Sequence, residues 1–212
     1  MSKKKFNRFS VPLGLLDYVN PILYTVTMTT LIRSIYDAMT PPCNRILFIG
    51  ALISIFFGFI IPTGKVIVGL GLIRFVMPVP LVFCVNAGIF ISGMMLLQYV
   101  LKLKLSALLA LFVLAAAFLL YVYRKSRKAN TIAVLTGAIG YLLIYTSLIV
   151  LSFRRGVRLP IVLYAFAIIL FVMLCGIGIK ANLKDPKVHW VIEISNVLCQ
   201  FSVAFATILL FQ

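Results

Sequence analysis

The chain has 212 residues, 63% of them hydrophobic and 11% charged, with a mean hydropathy of +1.16. Ordinary soluble domains are about 45–50% apolar and about 25% charged, so these figures exclude a soluble globular fold. Twenty Lys and Arg face only Asp17, Asp37, Asp185 and Glu193, giving a formal charge of +16.

The basic residues lie in short blocks between apolar runs. Such blocks control topology and meet anionic headgroups, whereas a nucleic-acid surface gathers them on one folded face. The expected fold is therefore an all-α polytopic transmembrane helix bundle with no soluble domain. Residues 1–10 read as a basic cytoplasmic tail and 11–212 as a single membrane domain. Lys3, Lys4, Lys5 and Arg8 imitate the charged start of a signal peptide, but no Ala-x-Ala cleavage site follows.

The first apolar segment, 11–31, contains Asp17, Asn20 and Pro21, which predicts a kinked or broken span. Pro41 and Pro42 mark a connection. A second span is expected over 46–61, ended by Pro62-Thr63-Gly64-Lys65. Residues 66–101 are too long for one crossing, because 36 helical residues reach about 54 Å against a hydrocarbon core of about 30 Å. Pro78 and Pro80 divide this stretch. Either 66–77 is a short re-entrant or interfacial piece before one span, or both pieces cross. Further spans are expected at 105–122, 131–151, 159–179 and 189–211.

Charge separates the two counts. With seven spans and a cytoplasmic N-terminus, twelve basic residues lie inside, Lys65 among them, and seven outside. With eight spans the split is ten to nine, so the positive-inside rule favours seven. Arg154, Arg155 and Arg158 fall on the outer side and count against that arrangement.

Polar groups in hydrocarbon cost several kcal/mol unless they meet a partner or a wet cavity. In the last span, His189, Glu193, Asn196 and Gln200 recur at helical spacing. They form a candidate stripe, with Glu193 as proton acceptor, ion ligand or counter-ion. The plainer reading makes His189 and Trp190 interface anchors and Asn196 and Gln200 helix-joining groups. Asp17, Asn20, Tyr24 and Thr27 share a face of the first span, and a break at Asn20-Pro21 frees backbone groups at membrane depth. Arg74 is the one basic residue well inside an apolar run; it pairs with Asp17 or Glu193, meets an anionic ligand, or snorkels to a headgroup.

No catalytic set can be assembled around the single His189, and no cofactor or metal ion is expected, since a metal site needs a further ligand beside His189 and Glu193. Four scattered cysteines give no disulfide framework. The glycines lack any phosphate-loop pattern and read as helix-packing positions.

Gly71-Leu72-Ile73-Arg74-Phe75 and Gln200 resemble fragments of the small lysoplasmalogenase-type membrane hydrolases. The resemblance implies lipid hydrolysis, but the acidic residues of such enzymes have no counterpart at Gly58-Phe59 or Leu174-Cys175-Gly176, and no catalytic role is carried over.

The expected function is binding of a small amphiphilic or anionic ligand within the bundle, as a transporter or ligand sensor. Glu193, Asn196, Gln200 and His189 would face Asp17 and Asn20, with Arg74 matching negative charge. The alternatives are an intramembrane lipid hydrolase and a structural subunit of a membrane complex. Expected partners are an anionic bilayer, probed by the basic loops, a small-molecule ligand, and a membrane protein partner or second copy; nucleic acid is not expected. The expected location is the cell membrane.

Overall fold

The computed structural model describes residues 10–72, 79–127, 129–180 and 186–212. Its elements are α1 (Val11–Asp17), α2 (Val19–Ile35), a 3-10 turn (Tyr36–Ala38), α3 (Cys43–Gly69), α4 (Val79–Leu101), α5 (Leu105–Ser126), α6 (Ala129–Arg155), α7 (Arg158–Lys180) and α8 (Pro186–Phe211). No strand occurs among the described residues. Six helices, α3 to α8, are long and apolar enough to cross a membrane, and the protein is an integral membrane helix bundle.

The seventh expected segment is the pair α1–α2. Ser10 caps α1 by accepting the amide of Leu13, and Pro12 sits in the first turn, where its missing N–H costs nothing. The helix breaks at Tyr18, three residues before Pro21, because Pro21 has no N–H to give to the carbonyl of Asp17. The two pieces have 7 and 17 residues. Laid end to end they reach about 37 Å, enough for a bilayer.

The expected end of the second span at Pro62 is corrected. Helix α3 runs through Pro62 to Gly69, so Val66 to Gly69 is its last turn rather than a re-entrant piece or an extra span. Membrane helices tolerate an internal proline because neighbouring groups satisfy the freed backbone. Lys65 consequently lies inside a helix and is buried, not in a loop.

Helix α4 is the central plank, packed on α6 and α3. Its approach to both depends on absent side chains. A Cβ on Gly88 would come within 2.5 Å of the Gly50 carbonyl, and one on Gly140 within 2.6 Å of the Phe90 amide. The other side of the bundle is built from α8 against α7 and α2. Helix α5 rests on α6 at the edge and buries only Leu108. Its many exposed leucines face the lipid, where apolar exposure carries no penalty.

Arg154 and Arg155 close one end of the bundle. Arg154 Nη1 donates to the Val100 carbonyl at 2.6 Å, and Arg155 Nη1 to the Leu210 carbonyl at 3.1 Å. Arg155 also lies 4.4 Å above the Phe211 ring. These arginines satisfy the orphan carbonyls and negative dipole ends of α4 and α8, which gives them a structural role independent of the charge rule.

Candidate functional site

Among the described residues, the buried charged side chains are Asp17, Lys65 and Glu193. They meet. Lys65 Nζ lies 2.7 Å from Asp17 Oδ2 and 2.8 Å from Glu193 Oε1. Asn20 Nδ2 completes a closed arrangement, donating to Asp17 Oδ1 at 3.2 Å and Glu193 Oε2 at 3.4 Å. Every carboxylate oxygen thus accepts at least one bond.

Four helices deliver these groups. Asp17 ends α1 and Asn20 opens α2, so the break at Tyr18 lets two nearby residues address the same partners. Lys65 comes from α3 and Glu193 from the second turn of α8. The cluster lies roughly 6–10 Å along its helices from the bundle end formed by the starts of α1 and α8 and the finish of α3, taking 1.5 Å per residue. Unpartnered charges at this depth would be costly. With all three groups ionised, two carboxylates face one ammonium, and the cluster carries one net negative charge.

Beside it lies a half-open cavity of about 170 Å³. Asp17, Asn20, Tyr24, Ser54, Tyr141 and Asn196 contribute its polar wall, and Pro21, Gly58 and Ile89 are among its apolar lining. At roughly 30 Å³ per water it has room for about five waters or a solute of similar bulk. Two wall atoms, Tyr24 Oη and Asn20 Oδ1, are buried and make no hydrogen bond of ordinary length with the protein's own groups, although the Ser54 and Ser92 side chains stand near Tyr24. Tyr24 is 6% exposed. By contrast Ser54 is satisfied, donating to the carbonyls of Gly50 and Val85 at 3.0 and 3.1 Å.

Prolines shape the backbone here as well. Pro21 denies a helical N–H to the carbonyl of Asp17, and Pro62 denies one to the carbonyl of Gly58. Both Asp17 and Gly58 line the cavity.

Of the candidates read from the sequence, the structure brings Asp17, Asn20 and Glu193 into one network and places Asn196 on the cavity wall. Gln200 is 3% exposed and lies beside Tyr141, outside that wall. His189 is half-buried one turn before Glu193 and also lies outside it. Arg74 and Pro78 fall outside the described residues. Lys65 was not among the candidates, because Pro62 was read as a helix end. Its signal was the three apolar residues Val66, Ile67 and Val68 that follow it, together with two intramembrane carboxylates needing a cation.

No protein-family model, curated protein or solved structure matches the chain.

Proposed function

We propose that this integral membrane protein holds a small solute in its half-open cavity, acting as a transporter or ligand sensor. The observation that carries this reading is the combination, on one cavity wall, of Asp17, one member of the buried charge cluster, with polar atoms that lack close partners. A bundle built only for anchoring gains nothing from leaving Tyr24 Oη and Asn20 Oδ1 without close partners, since each unmade bond costs about 1–3 kcal/mol. The net charge of the cluster favours the polar head of a neutral or cationic solute over an anion.

We place the protein in the cell membrane with its N-terminus cytoplasmic. With Lys65 withdrawn into the bundle and Arg74 left out of the tally, eleven basic residues lie on the N-terminal side and seven on the other.

The test is thermal unfolding of the purified protein in detergent against a panel of small amines, zwitterions, carboxylates and sugars. A solute at 100 times its Kd stabilises by about 2.7 kcal/mol. At least one class is expected to raise Tm in the wild type and to lose that effect in Asn196→Leu and Ile61→Phe, which fill the cavity. Stabilisation by no class would leave the assembly-subunit reading.

A second reading, lipid hydrolysis, draws support from the convergence of Asp17 and Glu193 on Lys65 next to a cavity that Asp17 lines, since water activation requires convergent carboxylates. It also requires one of them to leave Lys65. Incubation with lysophospholipids and mass analysis of the products tests it: headgroup or chain release abolished by Asp17→Asn would establish hydrolysis.

A further inference from the structure

We infer that the cavity is a binding site for a small monovalent cation, held by Asp17, the Asn20 carbonyl oxygen and the Tyr24 hydroxyl. This rests on the solute-binding reading above and names the class of solute.

The first argument is charge. Two buried carboxylates converge on one ammonium, and no further buried basic side chain occurs among the described residues. With both carboxylates ionised, one positive charge is missing from a region where the surroundings screen poorly.

The second argument is the kind of atom left over, and it is independent of the charge count. Asn20 spends its amide hydrogens on Asp17 and Glu193, which turns its oxygen into an unmatched acceptor. Tyr24 Oη makes no hydrogen bond of ordinary length, with Ser54 and Ser92 its nearest polar side chains. Pro21 and Pro62 deny a helical N–H to the carbonyls of Asp17 and Gly58, and both residues line the cavity. The cavity wall thus offers oxygen acceptors from Asp17, Asn20 and Tyr24 beside the hydroxyl of Tyr141 and the amide of Asn196. Oxygen atoms, including unwound-helix carbonyls, are the ligands that hold small hard cations within membrane bundles, and the same set accepts the N–H groups of an ammonium.

The third argument is selectivity by charge. No group of three or more His, Cys, Asp and Glu side chains able to hold a metal ion occurs among the described residues, and Lys65 already neutralises half of the available negative charge. A single remaining charge matches a monovalent ion rather than a divalent one.

The experiment is thermal unfolding of the full chain in detergent at constant ionic strength, with N-methylglucamine chloride replaced stepwise by sodium, potassium, ammonium or methylammonium chloride. Magnesium and calcium chloride serve as divalent arms. A saturable rise in Tm with at least one monovalent cation is expected. The sodium and potassium arms identify a metal ion, and the ammonium arms an amine. Tyr24→Phe removes a hydroxyl that stands beside the Ser54 and Ser92 side chains, so its Tm without added cation is the reference, and from that reference it should need at least about tenfold more cation for the same rise. Asp17→Asn removes the net charge and should abolish the response. Indifference of the wild type to all monovalent cations would overturn the inference, leaving a proton to supply the missing charge. So would a response confined to divalent ions, or one unchanged in Tyr24→Phe. If neutral or anionic solutes stabilise the wild type but not Ile61→Phe while cations do nothing, the solute-binding reading stands and the cation assignment falls.

Discussion

Lys65 Nζ holds Glu193 Oε1 at 2.8 Å across 128 positions of sequence, joining the last turns of α3 to the opening turns of α8. Removing one partner of a buried ion pair leaves an uncompensated charge and typically costs about 3–5 kcal/mol, whereas replacing the whole set with neutral groups of similar shape is often neutral. Lys65→Met alone should therefore lower Tm sharply, and Lys65→Met with Asp17→Asn and Glu193→Gln should recover most of the loss. Unfolding followed by tryptophan fluorescence of Trp190 in detergent checks both. A triple variant as unstable as the single one would mean that Lys65 contributes through packing rather than charge.

Glycine positions give a contrast in sterics. A Cβ at Gly88 would lie 2.4 Å from Ser54 Oγ and 2.5 Å from the Gly50 carbonyl, while one at Gly58 meets Pro21 Cβ at an ordinary 3.4 Å. Gly88→Ala should destabilise by about 1–3 kcal/mol, the range for overpacking. Gly58→Ala should leave stability within about 0.5 kcal/mol. Comparison of their melting curves with the wild type decides the matter.

At the opposite end of the bundle, Arg155→Met should lose the bond to the Leu210 carbonyl and the contact with Phe211. Because the side chain is exposed, the loss should be modest, about 1 kcal/mol. Arg155→Lys should not restore it fully, since an ammonium lacks the planar fork that bonds a carbonyl while covering a ring. Hydrogen exchange at the last turn of α8 should rise in both variants.

The corrected course of α3 changes where topology is probed. A reporter fused after Lys65 would sever the helix, whereas fusion after Gly71 follows it. Reporters after Gly71 and Arg127 are expected on the cytoplasmic side, and those after Lys104 and Gly156 on the other. Any pair from one group reporting opposite sides would refute seven crossings.

Much of the architecture was readable because the bilayer imposes a simple rule: each crossing needs about 20 apolar residues. Six of the expected spans therefore coincide with helices, and Asn20-Pro21 announced the nearby break. Pro62 misled because proline is a strong punctuation mark in water but a weaker one among packed membrane helices. The candidate site was half legible. Asp17, Asn20, Glu193 and Asn196 stood out as polar groups in apolar runs, but periodicity cannot pair faces of helices distant in sequence. The meeting with Lys65 and the lack of a close partner at Tyr24 depend on packing and had no counterpart in the spacing.

The break at Tyr18 has a mechanical meaning. On one side of it α1 is seated on α3 so tightly that a Cβ on Gly14 would come within 3.0 Å of the Val66 amide; on the other side α2 lies against α8. Asp17 stands just before this joint and Asn20 just after it, yet both grip Glu193 or its lysine. The cluster therefore ties both arms of this joint at one point, α1 to α3 through Asp17 and Lys65 and α2 to α8 through Asn20 and Glu193.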